Sequence, residues 1–118
     1  MFVATGATLA DAGANLAVAV GPLVPRTPWS ESMPTEWNHW WPYEDRGITQ
    51  EIFAQEAEQA AELGLSVATL DAGWFGSADV DADWQAERGD WQLVNTDRFP
   101  DGLATLAQRV RAAGVEFG

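Results

Sequence analysis

The sequence predicts an α/β fold, specifically the opening βαβαβ segment of a TIM-type (β/α)8 barrel. Two observations carry this. From about Met33 to the end, strand-like and helix-like segments alternate, and no internal repeat is evident. The returns from helix to strand are short, whereas the connection from the second strand to the second helix is long. In a (β/α)8 barrel the loops after strands build the working face and the returns stay short. A doubly wound sheet has the same element order and also binds ligands at strand C-terminal ends. No Gly-x-Gly-x-x-Gly turn follows either strand, which argues against the nucleotide-binding version. A closed barrel takes about 200 residues or more. Three strands cannot close one, so the 118 residues are expected to be part of a longer barrel.

The first strand is expected at Thr35-Glu36-Trp37-Asn38-His39, running into the aromatic cluster Trp40-Trp41-Pro42-Tyr43. A helix follows. Thr49 is its N-cap, and Glu51 sits in the first turn, where the helix dipole favours negative charge. Ile48 and Phe53 stand at the spacing of a hydrophobic staple. Ile52, Phe53, Ala57, Ala60 and Ala61 form the apolar face, with Glu56, Glu58 and Glu62 largely outside it. Gly64 stops the helix. Leu65–Leu70 reads as a buried strand, broken by Gly73 and Gly76.

A long loop from about Asp71 to Pro100 carries Trp74, Phe75, Trp84 and Trp91, so an ordered loop is expected. Loops beyond about 12–15 residues are usually functional or disordered. Asp101 is expected to cap the second helix, whose inner face is Leu103, Leu106, Ala107 and Val110. Arg109 and Arg111 lie near its end, Gly114 stops it, and Val115-Glu116-Phe117 begins a third strand. Residues 1–28 are expected to be an N-terminal segment or linker and 29–118 the barrel part. Met1 to Val24 shows no clear period, and Pro22, Pro25, Pro28 and Pro34 suggest extended chain.

Composition narrows the function classes. The formal charge is -12, and all six basic residues are Arg. Such a field repels nucleic acid and anionic membrane surfaces and suits a neutral partner such as a sugar, or a cation. With no Cys, disulfides and thiolate metal sites are excluded. Leu16–Val20 is far short of the about 20 residues a membrane span needs. The N-terminus lacks the basic start of a secretory signal, so a cytoplasmic location is expected. No cofactor is called for. Seven Trp in this length is a large excess, and a flat indole face suits stacking on a pyranose ring as well as packing.

Asp71 follows the second strand, where an ionised carboxylate can accept hydrogen bonds from two sugar hydroxyls. Trp74, three residues on, could wall the same pocket. The bland alternative is a turn cap at Asp71 and simple packing at Trp74. Trp37, Trp40 and Trp41 could stack on a sugar or fill the barrel base. His39, the one His, has no partner carboxylate at metal spacing and reads as structural or solvent-facing. Asp79, Asp81, Asp83, Glu87 and Asp90 approach the spacing of a calcium loop, but Trp84 and Asp90 stand where Gly and Glu belong. A solvated acidic loop is the better reading, and no metal is assigned. Retaining glycosidases need two carboxyl groups about 5–5.5 Å apart. No obvious pair exists, so no catalytic residue is assigned.

Six segments in order carry a resemblance. They are Trp37-Asn38-His39-Trp40, Ala60–Gly64, Leu70-Asp71-Ala72-Gly73-Trp74-Phe75-Gly76, Gly89-Asp90-Trp91, Arg98–Leu103 and Gly114–Gly118. Together they resemble melibiase-type α-galactosidases, glycoside hydrolase family thirty-six. The resemblance implies a retaining hydrolase that cleaves terminal α-linked galactose from oligosaccharides. It places the nucleophile, in a Lys-x-Asp motif, and the acid/base Asp outside this chain. Asp71 matches the first Asp of an Asp-Asp-Gly-Trp run that holds the galactose O4 and O6 hydroxyls. Trp40 matches a Trp lining the sugar site, with Trp41 the alternative by one residue. Ala72 departs from the commoner second Asp, which puts strict galactose specificity in question. A β-sandwich precedes the barrel in the family, and the residues before about Trp29 are candidates for its remnant. The alternative reading is a non-catalytic carbohydrate-binding protein or a defunct remnant.

Overall fold

The computed structural model describes residues 3–89 and 91–118. Asp90, which closes the calcium-like spacing and sits inside the Gly89-Asp90-Trp91 motif, lies outside them. The chain divides between Met33 and Pro34 into two compact units.

The first unit holds helix α1 (Leu9–Val20), a 3-10 turn at Gly21–Leu23 and the short helix α2 (Pro28–Ser32). No clear period runs through Met1–Val24, yet a helix forms there. α1 forms through its cap and its Ala content instead. The Thr8 side chain accepts from the Asp11 N–H, and Asp11 accepts in return from the Thr8 N–H. Asp11 and Asn15 share one face, but none of its residues is buried, so no packed stripe marks it. α2 likewise replaces expected extended chain, with Thr27 as cap and Pro28 at the first helical position. No strand lies among the described residues before Pro34.

The second unit is a three-stranded parallel sheet with helices, in the order β1 (Glu36–Asn38), α3 (Trp40–Gly47), α4 (Gln50–Glu62), β2 (Val67–Thr69), α5 (Trp84–Glu87), α6 (Gly102–Ala113) and β3 (Glu116–Phe117). β2 is central. Its register sets Trp37 beside Ala68, Asn38 beside Thr69, and Ala68 beside Phe117.

α4 starts at the expected cap, where the Thr49 side chain accepts from the Ile52 N–H. Ile48 and Phe53, the staple pair, are both fully buried. α4 packs against α6 and β2, and α6 against β3. The core joins Ile48, Phe53, Ala57, Ala68, Leu106, Val110 and Val115. One expectation about a polar residue fails. Asp101 occupies the N-cap position of α6, but its backbone is helical (φ -91°, ψ 0°) and its carboxylate makes no cap bond. It accepts instead from Gln50 Nε2 at 2.6 Å. Glu56 is half-buried, and its carboxylate accepts from the Tyr43 hydroxyl at 2.6 Å. That bond holds the Tyr43 phenol above its ordinary value.

β1 ends at Asn38, one residue before the expected end at His39, and the aromatic cluster from Trp40 to Tyr43 lies in α3. α3 consists of two turns joined at Glu44, whose φ of 51° and ψ of -161° break the helix. No helix among the described residues is long and apolar enough to cross a membrane.

Candidate functional site

The C-terminal ends of β1 and β2 place three consecutive polar contacts side by side. Asp71 follows the end of β2 by two residues, and its side chain is open to solvent. Its Oδ1 accepts from the Ala72 N–H at 2.7 Å, and its Oδ2 accepts from Asn38 Nδ2 at 3.1 Å. Its backbone N–H donates to His39 Nδ1 at 2.9 Å. The turn contact at Ala72 is the bland role expected of Asp71, yet it uses one oxygen. An ionised carboxylate has about four acceptor directions, so two protein donors leave roughly two for a ligand.

His39 is fully buried, which settles its location between the two readings as structural. Its ring meets Phe53 edge-on at 6.4 Å. Because Nδ1 accepts, the proton sits on Nε2, and burial holds the imidazole below its ordinary value despite the Asp71 charge. Nε2 is buried without a hydrogen-bond partner among the described residues.

Beside Asp71 lies a cavity of about 300 Å3 lined by Leu70, Asp71, Ala72 and the rings of Trp74, Phe75, Trp84 and Trp91. Phe75 meets Trp91 at 4.7 Å and Trp74 at 5.2 Å, both edge-on. An isolated antiparallel bridge, Phe75 to Val94, ties the start of the long loop to its end. Of the four residues read from the sequence as sugar contacts, Asp71 and Trp74 line this cavity. Trp40 stands one ring away, edge-on to Trp84 at 5.7 Å. Trp41 is 89% exposed and lines nothing here.

The loop that carries these rings is ordered by Arg98, which is almost fully buried. Its Nη1 donates to the carbonyls of Asp45 and Gly73, and its Nε and Nη2 reach those of Val80 and Ala82. The Asp45 carboxylate in turn accepts from the Trp84 N–H at 3.1 Å. The acidic residues of the loop serve as turn acceptors: Asp79 for the Asp81 N–H, Asp83 for the Gln85 N–H, and Glu87 for Ser77. Among the described residues no group of three or more His, Asp or Glu could hold a metal.

The family is settled by comparison. Residues 27–118 match the family model described as Melibiase. The chain belongs to the Melibiase family. Alpha-galactosidase AgaA of Geobacillus stearothermophilus is 42% identical over 71 residues, which is 60% of this chain and 9% of that protein. The crystal structure of the same GH36 enzyme superposes with a TM-score of 0.63 at 33% identity, covering 79% of this chain and 12% of that one. A variant of it in complex with stachyose gives a TM-score of 0.62 at 32% identity, with the same coverage. The chain thus spans about a tenth of the length of these relatives.

Within this Melibiase segment, sequence reasoning missed Asn38, Trp84 and Arg98 as parts of the site. Trp84 was visible only as a loop aromatic. Asn38 and Arg98 lay inside motifs, but their partners are 33 and 53 residues away.

Proposed function

We propose that this chain is the sugar-holding opening of an α-galactosidase-like (β/α)8 barrel, acting on terminal α-linked galactose of oligosaccharides with retention of configuration. On this reading β1, β2 and β3 are successive barrel strands, and Asp71 stands at the mouth. The nucleophile and the acid/base carboxyl groups come from chain beyond residues 1–118, and residues 1–28 precede the barrel.

The observation that carries the reading is the carboxylate of Asp71 at a strand C-terminal end, on the rim of an aromatic cavity, with acceptor capacity left over. A carboxylate that takes two hydroxyl donors, beside indole faces, is the chemistry of pyranose recognition. A net charge of -12 suits a neutral saccharide. The relative solved with stachyose supports an oligosaccharide substrate. Asp71 and Trp74 contact the sugar directly. Trp40, with Trp41 as its one-residue alternative, contributes from the β1 side. Ala72 offers no second carboxylate, so the sugar is held by one side chain at this point.

The test uses the full-length protein that contains this segment. Asp71→Asn keeps the shape but loses the charge, and kcat/KM on a chromogenic α-galactoside should fall about 100-fold, the loss of two charge-assisted bonds. Unchanged kinetics would remove Asp71 from the site.

A further inference from the structure

Asn38 makes two bonds that point in different directions from one amide. Its Oδ1 accepts from the Trp40 N–H at 2.8 Å, and its Nδ2 donates to Asp71 Oδ2 at 3.1 Å. One neighbour can only donate and the other only accept, so a single amide orientation satisfies both. The strand register places Asn38 opposite Thr69, two residues before Asp71. The amide therefore links the first residue of α3 to the carboxylate at the end of β2. His39, the next residue, fixes the Asp71 backbone through Nδ1. Side chain and main chain of Asp71 are thus held by two consecutive residues of one strand end.

We infer that Asn38 is a positioning residue for sugar binding, aiming the free acceptor directions of Asp71 while tying them to Trp40. This rests on the reading of Asp71 as a sugar-holding carboxylate. Without the Nδ2 donor, the Asp71 carboxylate keeps only the local Ala72 N–H contact and loses its tie to β1, so a ligand must then pay for fixing its angle.

Asn38→Asp separates this role from a merely structural one. It keeps an oxygen for the Trp40 N–H but replaces the donor with a second carboxylate facing Asp71. Two carboxylates at that range repel until they share a proton, and the shared proton restores the missing hydrogen bond. The other titratable group facing Asp71 is His39, and wild type serves as its control. Asn38→Ala removes both bonds and cannot regain either.

The experiment measures the dissociation constant of D-galactose, a neutral probe, by calorimetry on the full-length protein at about pH 7.5 and about pH 5. Asn38→Asp should bind about tenfold more weakly than wild type at the higher pH, the worth of one hydrogen bond to a charged group. It should return to within about threefold of wild type at the lower pH, while Asn38→Ala stays weak at both. Equal weakening of both variants at both pH values would overturn the positioning role, as would wild-type affinity in both. Asp71→Asn distinguishes the two failures. If it binds galactose normally, the reading of Asp71 falls and this inference with it. If it loses binding while the Asn38 variants do not, only the role of Asn38 falls.

Discussion

The Nδ1 of His39 accepts the backbone N–H of Asp71 at 2.9 Å, inside a fully buried imidazole packed on Phe53. Only the neutral ring can make that bond. Burial holds the group below its ordinary 6.5, and the Asp71 charge and neighbouring backbone groups offset this only partly. Between the lowered folded value and 6.5 the unfolded chain binds more protons than the folded one, so stability rises with pH there. The contribution is complete above 6.5 and is lost as pH falls through the folded value. His39→Gln removes the titration. Melting temperatures of wild type and His39→Gln from about pH 7.5 to about pH 5 should show a gap that narrows with acid. A gap of constant width would show that His39 does not titrate across folding.

Gly73 answers two demands at once. Its φ is 104°, and a Cβ there would stand 2.5 Å from the Asp45 carbonyl oxygen. That oxygen and the Gly73 carbonyl share Arg98 Nη1, so neither can move away without losing a buried bond. Gly73→Ala should cost at least about 2 kcal/mol in denaturant unfolding, combining strain and steric displacement. The comparison is Gly89→Ala, which carries the same strained φ of 104° but meets no atom of the described residues within 4 Å. Equal costs at the two positions would mean that the contact with Asp45 contributes nothing.

Arg98 holds the cavity wall from below. Four carbonyls, those of Asp45, Gly73, Val80 and Ala82, accept from one buried guanidinium. Arg98→Lys preserves the charge but offers a compact ammonium that cannot span the same fork. Leaving buried carbonyls unpaired should cost about 2–3 kcal/mol. The loss should be local first: amide hydrogen exchange between Ser77 and Arg88 should rise before that of α4 and α6, whose core contacts do not involve Arg98. Uniform exchange across the second unit would argue against a dedicated loop clamp.

The elements legible in the sequence are those whose causes are local. α4 announces itself through Thr49, the Ile48–Phe53 staple and Gly64, and α6 through its apolar spacing and Gly114. The place of Asp71 followed from the strand before it. What stayed hidden depends on distant partners or on the lack of contrast. α1 buries no residue, so it has no packed stripe, although Thr8 and Asp11 spell its cap. Asp101 had the right residue type for a cap, but Gln50, 51 residues earlier, competes for its carboxylate. Trp40–Tyr43 was visible only as an aromatic cluster, whereas the chain turns into α3 there and breaks at Glu44. Asn38 and Arg98 carry no periodic signal at all. Their roles exist only once the strand ends and the loop are folded together.

Trp40 and Trp84 pack edge-on at 5.7 Å, and of the two only Trp84 lines the cavity. Two routes therefore connect Trp40 to a bound sugar. It touches the sugar directly, or it fixes the angle of the Trp84 ring. A double-mutant cycle on galactose affinity separates them. If Trp40 acts through Trp84, Trp40→Ala should weaken binding in the wild-type background but change little once Trp84→Ala is present. The coupling should then be about 0.5–1.5 kcal/mol, the range for an edge-on aromatic pair. If the two effects add, Trp40 contacts the sugar by itself. Arg88, whose guanidinium carbon lies 5.9 Å from the Trp84 ring centre, provides a control on the same ring. Arg88→Gln should alter affinity by no more than about fivefold, because an exposed cation–π contact is worth only about 0.5–1 kcal/mol.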